Sequence, residues 1–171
     1  MQRFEKSQYI RYGANGVCQI EDIGPLPGTD SSAQYYTLKP IADKRSVYFI
    51  PVDSETLTSK MRPLLTRDEI DNAIDSVKGM LPEWEEDRSV RLESGRAALR
   101  ESDTRQTLLV IGSLYRHKQQ LLAQGKKSSS SDDYLLKEAE VLIENEFAFV
   151  LGLEDAEIGP YIRTRLGLGL E

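Results

Sequence analysis

A change of sequence period near Arg62 constrains the fold of this chain more than any other feature. Before Arg62, short apolar runs are separated by glycine and proline, a pattern that is typical of β-strands. After it, apolar residues recur every three or four positions, which is typical of amphipathic helices. A length of 171 residues allows one large or two small domains, at roughly 100–200 residues per domain. The change of period favours two small domains.

The first half predicts four or five short strands. Asn15-Gly16 lies between two alternating runs and predicts a hairpin, because both residues tolerate positive φ. Gln34–Leu38 predicts a third strand, and Ser46–Ile50, which ends at Pro51, predicts the most apolar one. Strands this short and this closely spaced predict a small, strongly bent sheet or barrel.

The second half predicts three to five helices. Thr66 and Glu69 have capping-box spacing, and Asp103 stands where it can cap a longer helix. Asp132 or Asp133 is expected to cap the next one, after a polar connection rich in lysine and serine. We therefore expect a C-terminal module made only of helices.

Bulk composition limits the classes of function. A net charge of −6 argues against general, charge-driven binding of nucleic acid, although a small local basic patch is compatible with it. The N-terminal residues lack the apolar core of a secretion signal, and no run is long enough to span a membrane. The single cysteine, Cys18, fits a reducing compartment. These features predict a cytoplasmic protein.

Few residues suggest catalysis. The one histidine, His117, lies among polar residues of a predicted helix and is expected to be solvated. Cys18 lies in an alternating strand and is expected to be a small core residue. The sequence shows no metal-ligand spacing and no phosphate-binding glycine loop. We expect neither an enzyme nor a cofactor.

The lone tryptophan, Trp84, allows two interpretations. If residues 83–100 are helical, Trp84, Arg88 and Arg91 share one face, where the indole can wedge against a base while the arginines hold phosphates. Alternatively, Trp84 packs between the two modules and the arginines pair with neighbouring acids, which are abundant.

The strand Ser46–Ile50 is a further candidate. An aromatic-rich final strand of a small sheet has a backbone edge that can pair with a strand of a partner. Its side chains also fit a bland interpretation, in which Val47 and Phe49 are core and Tyr48 faces water.

Taken in order and spacing, these residues resemble the CarD-like bacterial transcription regulators over most of the chain. The matching positions are Phe4, Ile10–Tyr12, Asn15-Gly16, Ile20-Glu21, Tyr35–Lys39, Val47–Pro51, Met61-Arg62, Trp84, Arg88, Arg91 and Glu138–Ala148. The chain departs from the family in the acids Glu85, Glu86 and Asp87, where the family is often basic.

The resemblance implies an α+β protein of two domains. An N-terminal Tudor-like, SH3-type barrel (1–63) would bind the RNA polymerase β subunit, a connecting helix and linker would follow (64–82), and an all-helical domain (83–171) would contact promoter DNA. It implies that Trp84 wedges into the minor groove, with Arg88 and Arg91 on phosphates. The polymerase contacts would lie at Lys44, Arg45, Ser46 and Tyr48.

The expected function is therefore that of a regulator that bridges polymerase and promoter DNA and modulates open-complex stability, with weak DNA binding of its own. It would be nucleoid-associated through polymerase, with no membrane and no small-molecule substrate as a partner. The alternative is an adaptor that uses both domains for protein contacts, which the net charge favours.

Overall fold

The chain divides into two compact units between Leu64 and Leu65. The computed structural model describes residues 3–169, so the outer ends of the predicted domains, 1–2 and 170–171, lie outside the described residues. The first unit holds an antiparallel sheet, and within the described residues the second holds helices and no strand. The predicted α+β class is confirmed.

The sheet of the N-terminal unit has five strands. They are β1 (Tyr9–Tyr12), β2 (Val17–Gly24), β3 (Tyr35–Pro40), β4 (Tyr48–Pro51) and β5 (Met61–Pro63), with a one-turn helix α1 (Glu55–Thr58) before the last. Their order across the sheet is β4-β3-β2-β1-β5, and all four neighbouring pairs are antiparallel. In the described part of the chain β4 and β5 are the two edges, so the sheet is open.

Local sequence explains the connection between β1 and β2. Gly13–Asn15 form a single 3₁₀ turn, and Gly16 then has a φ of 77°, which glycine adopts without strain. The Tyr12 N–H donates to the Gly16 carbonyl at 3.0 Å, so the predicted hairpin is confirmed. A register shift in β2 between Ile20 and Asp22 is a bulge of the kind that increases the twist of a sheet.

One side of this sheet covers a small apolar core. Its buried members are Phe4, Ile10, Tyr12, Cys18, Ile20, Tyr36, Leu38, Ile50 and Met61. Phe4 precedes β1 and packs edge-on against Tyr36, with ring centroids 6.0 Å apart. Cys18 is fully buried, as the sequence predicts.

The C-terminal unit has five helices. They are α2 (Arg67–Lys78), α3 (Arg88–Arg100), α4 (Thr104–Ala123), α5 (Ser130–Leu151) and α6 (Asp155–Leu166). They enclose a second core, which includes Ile74, Leu108, Ile143 and Phe147. Within the described residues, no helix combines the length and apolarity that crossing a bilayer requires.

Two of the predicted caps are confirmed and one is wrong. The Thr66 hydroxyl accepts from the Glu69 N–H, and the Asp103 carboxylate accepts from the Gln106 N–H. Helix α5 is capped by Ser129, not by Asp132 or Asp133, because the Ser129 hydroxyl accepts from the Asp132 N–H at 3.2 Å and starts the helix earlier.

The expectation of a helix over residues 83–100 is wrong at its beginning. Asp87 caps α3 by accepting from the Val90 N–H at 3.1 Å, so the helix starts at Arg88. Residues 80–87 have no regular secondary structure, and we call them the strap. Pro82 contributes to this, because it disfavours helical backbone at the residue before it.

Candidate functional site

Trp84 lies in the strap and not on a helix. It is half-buried and packs against the core of the C-terminal unit. Its ring stacks on the His117 imidazole, with centroids 3.6 Å apart and planes within 7° of each other. The Arg91 guanidinium also lies over the indole, with its central carbon 4.5 Å from the ring centroid. Trp84 is thus covered by two side chains of its own unit.

Arg91 is fully engaged in this arrangement. Its Nε donates to Asp132 Oδ1 at 2.8 Å and its Nη2 to Oδ2 at 3.1 Å, a bidentate pair. Its Nη1 donates to the Glu85 carbonyl oxygen at 2.8 Å. Because the side chains of the pair are only 13% and 9% exposed, water screens this pair far less than a surface pair. We call Trp84, His117, Arg91 and Asp132 the Trp84 cluster.

Arg88 does not join this cluster through any contact that the structure shows. It is exposed in the first turn of α3, and its Nη2 donates to the Ser131 hydroxyl in the first turn of α5. The sequence-based grouping of Trp84, Arg88 and Arg91 therefore holds only for Trp84 and Arg91.

His117 has a different environment from the solvated helical position that the sequence predicts, and that prediction is wrong. The ring is half-buried under Trp84. Desolvation lowers its pKa; Asp132 and Glu86 act against this shift, and Arg91 adds to it. The imidazole is therefore neutral at neutral pH, which suits stacking on an indole.

The strap is fastened to the helices by side chains. Leu81 occupies the space beside Gly112 of α4, since a Cβ at Gly112 would lie 2.5 Å from Leu81 Cδ2. The Arg116 guanidinium donates to the Pro82 carbonyl. Next to these contacts, strap residues and side chains of α3 and α4 line a cavity of about 500 Å³, with Leu109, Val110 and Leu114 among its apolar walls.

The predicted polymerase contacts lie at the other unit, around the outermost strand β4. Lys44 and Arg45 are exposed, in the turn that precedes this strand. Asp43 organises the turn by accepting from the Ser46 hydroxyl at 2.5 Å and from the Arg45 N–H at 3.0 Å. These hydrogen bonds, that from Ser46 first, lower the pKa of the Asp43 carboxyl.

Tyr48 and Phe49 of β4 have different surroundings. The Tyr48 ring packs on Tyr12 at 5.8 Å, and its hydroxyl hydrogen-bonds to Asn15 Oδ1 at 3.1 Å. Phe49 is 42% exposed and Val47, just before the strand, is 38% exposed. The bland interpretation of Val47 and Phe49 as core is therefore wrong, and β4 presents apolar side chains beside two cations.

Other candidate chemistry is sparse. Burial raises the pKa of the Cys18 thiol to about 11, so the nucleophilic thiolate is suppressed. Among residues 3–169, no three or more histidine, cysteine or acidic side chains form a group that could hold a metal ion.

Sequence reasoning missed two members of the Trp84 cluster. Asp132 lies 41 residues from Arg91 and was interpreted as a cap. The polar neighbours of His117 in the sequence predict a solvated side chain and give no sign of the stacking on Trp84. Neither pairing leaves a local sequence signal, because helix packing alone brings these side chains to the strap.

A comparison with models of known protein families finds no match. The curated proteins likewise contain no match to the chain.

Proposed function

We propose that this protein is a transcription regulator of the CarD-like kind, which binds the RNA polymerase β subunit through its N-terminal unit and promoter DNA through its C-terminal unit. The observation that carries the proposal is the outermost strand β4, which combines an edge position, exposed Val47 and Phe49, and the cations Lys44 and Arg45. Such an edge can add a strand of a partner by main-chain hydrogen bonds.

Four consecutive antiparallel strands, with a register shift in β2 and a short fifth strand beside the first, support a Tudor-like assignment of the N-terminal unit. We propose that the N-terminal unit is such a domain and that Ser46 and Tyr48 serve it by shaping the turn and supporting β4.

The C-terminal unit would supply the contact to DNA. Trp84 is the single tryptophan of the chain. Arg91 lies over its ring, and Arg88 stands three residues before Arg91 on α3. A factor that binds melted promoter DNA more tightly than closed duplex shifts that equilibrium by the ratio of the two affinities. The proposal contains no catalytic step and places the protein in the cytoplasm, on the nucleoid through polymerase.

An adaptor without DNA binding is the second candidate. The pairing of Arg91 with Asp132 favours it, because a cation already bound to a buried carboxylate offers little to a phosphate. The exposed acids Glu83, Glu85 and Glu86 of the strap favour it too, since they repel a polyanion.

Polymerase binding is tested first, with Phe49→Ser. We expect weaker binding to RNA polymerase in a pull-down or by interferometry, because the variant removes an exposed apolar contact without disturbing the core. The matched control is Val90→Ser, at a residue that is 51% exposed on α3 of the other unit. Equal binding by both variants would contradict the assignment of β4.

DNA contact is tested by the lifetime of the open complex on a promoter fragment. We expect the unaltered protein to change this lifetime and Trp84→Ala to lose the effect while still binding polymerase. Tyr134→Ala is the control, because Tyr134 is an aromatic residue of the same unit that is 64% exposed. If Trp84→Ala acts like the unaltered protein, the adaptor becomes the better proposal.

A further inference from the structure

The Trp84 cluster places the proposed wedge in a closed position. The indole stacks on His117 and lies under Arg91, so a face that would meet a base is already occupied. The three donor nitrogens of Arg91 are occupied as well, by Asp132 and by the Glu85 carbonyl. These contacts therefore compete with the contacts to a base and to phosphate that the proposed function assigns to Trp84 and Arg91.

The strap that carries Trp84 is held by side-chain contacts. It has no backbone ladder to a helix or strand and is held by a few side chains from α3 and α4. An open cleft of about 500 Å³ runs beside the strap, lined by Trp84 and Glu85 and by side chains of α3 and α4.

Arg91 connects the strap to helix α5. One of its nitrogens holds the backbone of the strap at Glu85, and the other two are anchored to Asp132 on α5. Asp132 keeps a second partner, because the Ser129 hydroxyl donates to its Oδ2 at 2.8 Å. Loss of Arg91 would therefore leave this carboxylate partly satisfied, which lowers the cost of releasing the arginine.

We propose that Arg91 is a latch on Trp84, and that a DNA phosphate releases the tryptophan by replacing Asp132 as the partner of Arg91. This inference rests on the proposed function. A phosphate accepts the same bidentate pair of hydrogen bonds that the carboxylate accepts. Arg88 is exposed three residues earlier on α3 and would contact the same DNA backbone.

The first experiment tests the latch without DNA. Trp84 is the single tryptophan, so fluorescence excited at long wavelength reports on it alone, and acrylamide quenching measures its exposure. Asp132→Asn removes the charge that anchors Arg91. We expect the ratio of released to closed Trp84 to rise about tenfold, seen as a higher quenching constant. Asp133→Asn, in the next residue, is the matched control.

A second variant guards against a folding defect in Asp132→Asn. Arg91→Lys keeps the positive charge and loses the bidentate geometry, so it should also raise quenching while the circular dichroism spectrum stays unchanged. If both variants quench like the unaltered protein, the latch is refuted.

The second experiment adds a forked DNA duplex at low ionic strength. We expect the duplex to change the Trp84 emission of the unaltered protein, and to do so at lower concentration with Asp132→Asn. If the variants raise quenching but DNA changes neither emission, release by phosphate is refuted together with the proposed DNA contact. If DNA acts equally on both proteins, the DNA contact stands and release of Arg91 by phosphate is refuted.

Discussion

Replacing Gly112 by alanine should have opposite effects on stability depending on whether Leu81 is present. Gly112 lies inside α4, where a Cβ would lie 2.5 Å from Leu81 Cδ2 and 3.3 Å from its Cδ1. The nearest other atom, Leu166 Cδ1, would be at 3.4 Å, which is close to ordinary contact. Leu81 is thus the one neighbour that stands in the way of an alanine.

Two contributions decide how Gly112→Ala changes the free energy of unfolding: the helix propensity of alanine and the overpacking against Leu81. Alanine in the interior of a helix is more favourable than glycine by about 0.8–1.0 kcal/mol. Overpacking a filled site costs typically about 1–3 kcal/mol, here toward the lower end because Leu81 lies in the strap and can move. With Leu81 present, we expect Gly112→Ala to lower the free energy of unfolding by up to about 1 kcal/mol.

In a Leu81→Ala background the obstructing atoms are gone. The helix term then acts alone, and Gly112→Ala should raise the free energy of unfolding by about 1 kcal/mol. The double-mutant cycle should therefore give a coupling energy of about 1–2 kcal/mol between the two positions.

The assay is urea unfolding followed by Trp84 fluorescence, which reports on the C-terminal unit alone. The control is Gly95→Ala, whose Cβ would meet Leu135 Cδ2 at 2.7 Å, so its effect should not depend on Leu81→Ala. A coupling energy near zero for Gly112 would refute the argument, because the strap would then not lie against α4 as described.

Two further results are expected. Cys18 should react with a disulfide reagent at pH 8 only as fast as the N-terminal unit opens, because burial raises the pKa of its thiol to about 11; labelling at the rate of a free thiol would contradict this. The lowered pKa of His117, due first to desolvation, means that the folded state binds its proton less readily than the unfolded state. Stability from this group is therefore complete above the unfolded pKa of about 6.5 and is lost as pH falls from there through the lower pKa of the folded state. His117→Gln should flatten that slope, and an unchanged slope would show that another group causes it.

Sequence reasoning succeeded where a structural signal is local. The Asn15-Gly16 hairpin and the caps at Thr66 and Asp103 each depend on residues within a few positions of one another, and all three are confirmed. The α+β class follows from local patterns of the same kind, which predict strands before Arg62 and helices after it.

The candidate site could be predicted only in part. The sequence groups Trp84 with Arg88 and Arg91 on one helix face. In the structure only Arg91 contacts Trp84, which lies in the strap and not on a helix. The cap at Asp87 has no distinct sequence signal, because Asp87 stands at the end of a run of acids, Glu85-Glu86-Asp87. His117 and Asp132 come from other helices, and a single sequence contains no record of which helices pack together.

The pairing of β5 with β1 bears on the order in which the N-terminal unit folds during synthesis. Strands β1 to β4 follow one another and can pair as the chain emerges, because each contact spans a short loop. The outer edge of β1, however, stays open until Met61–Pro63 arrives. A nascent chain that ends before those three residues exposes an unpaired strand edge, which is a template for aggregation. Pairing of the short β5 covers the edge of β1 and leaves β4 and the three residues of β5 as the edges of the finished sheet.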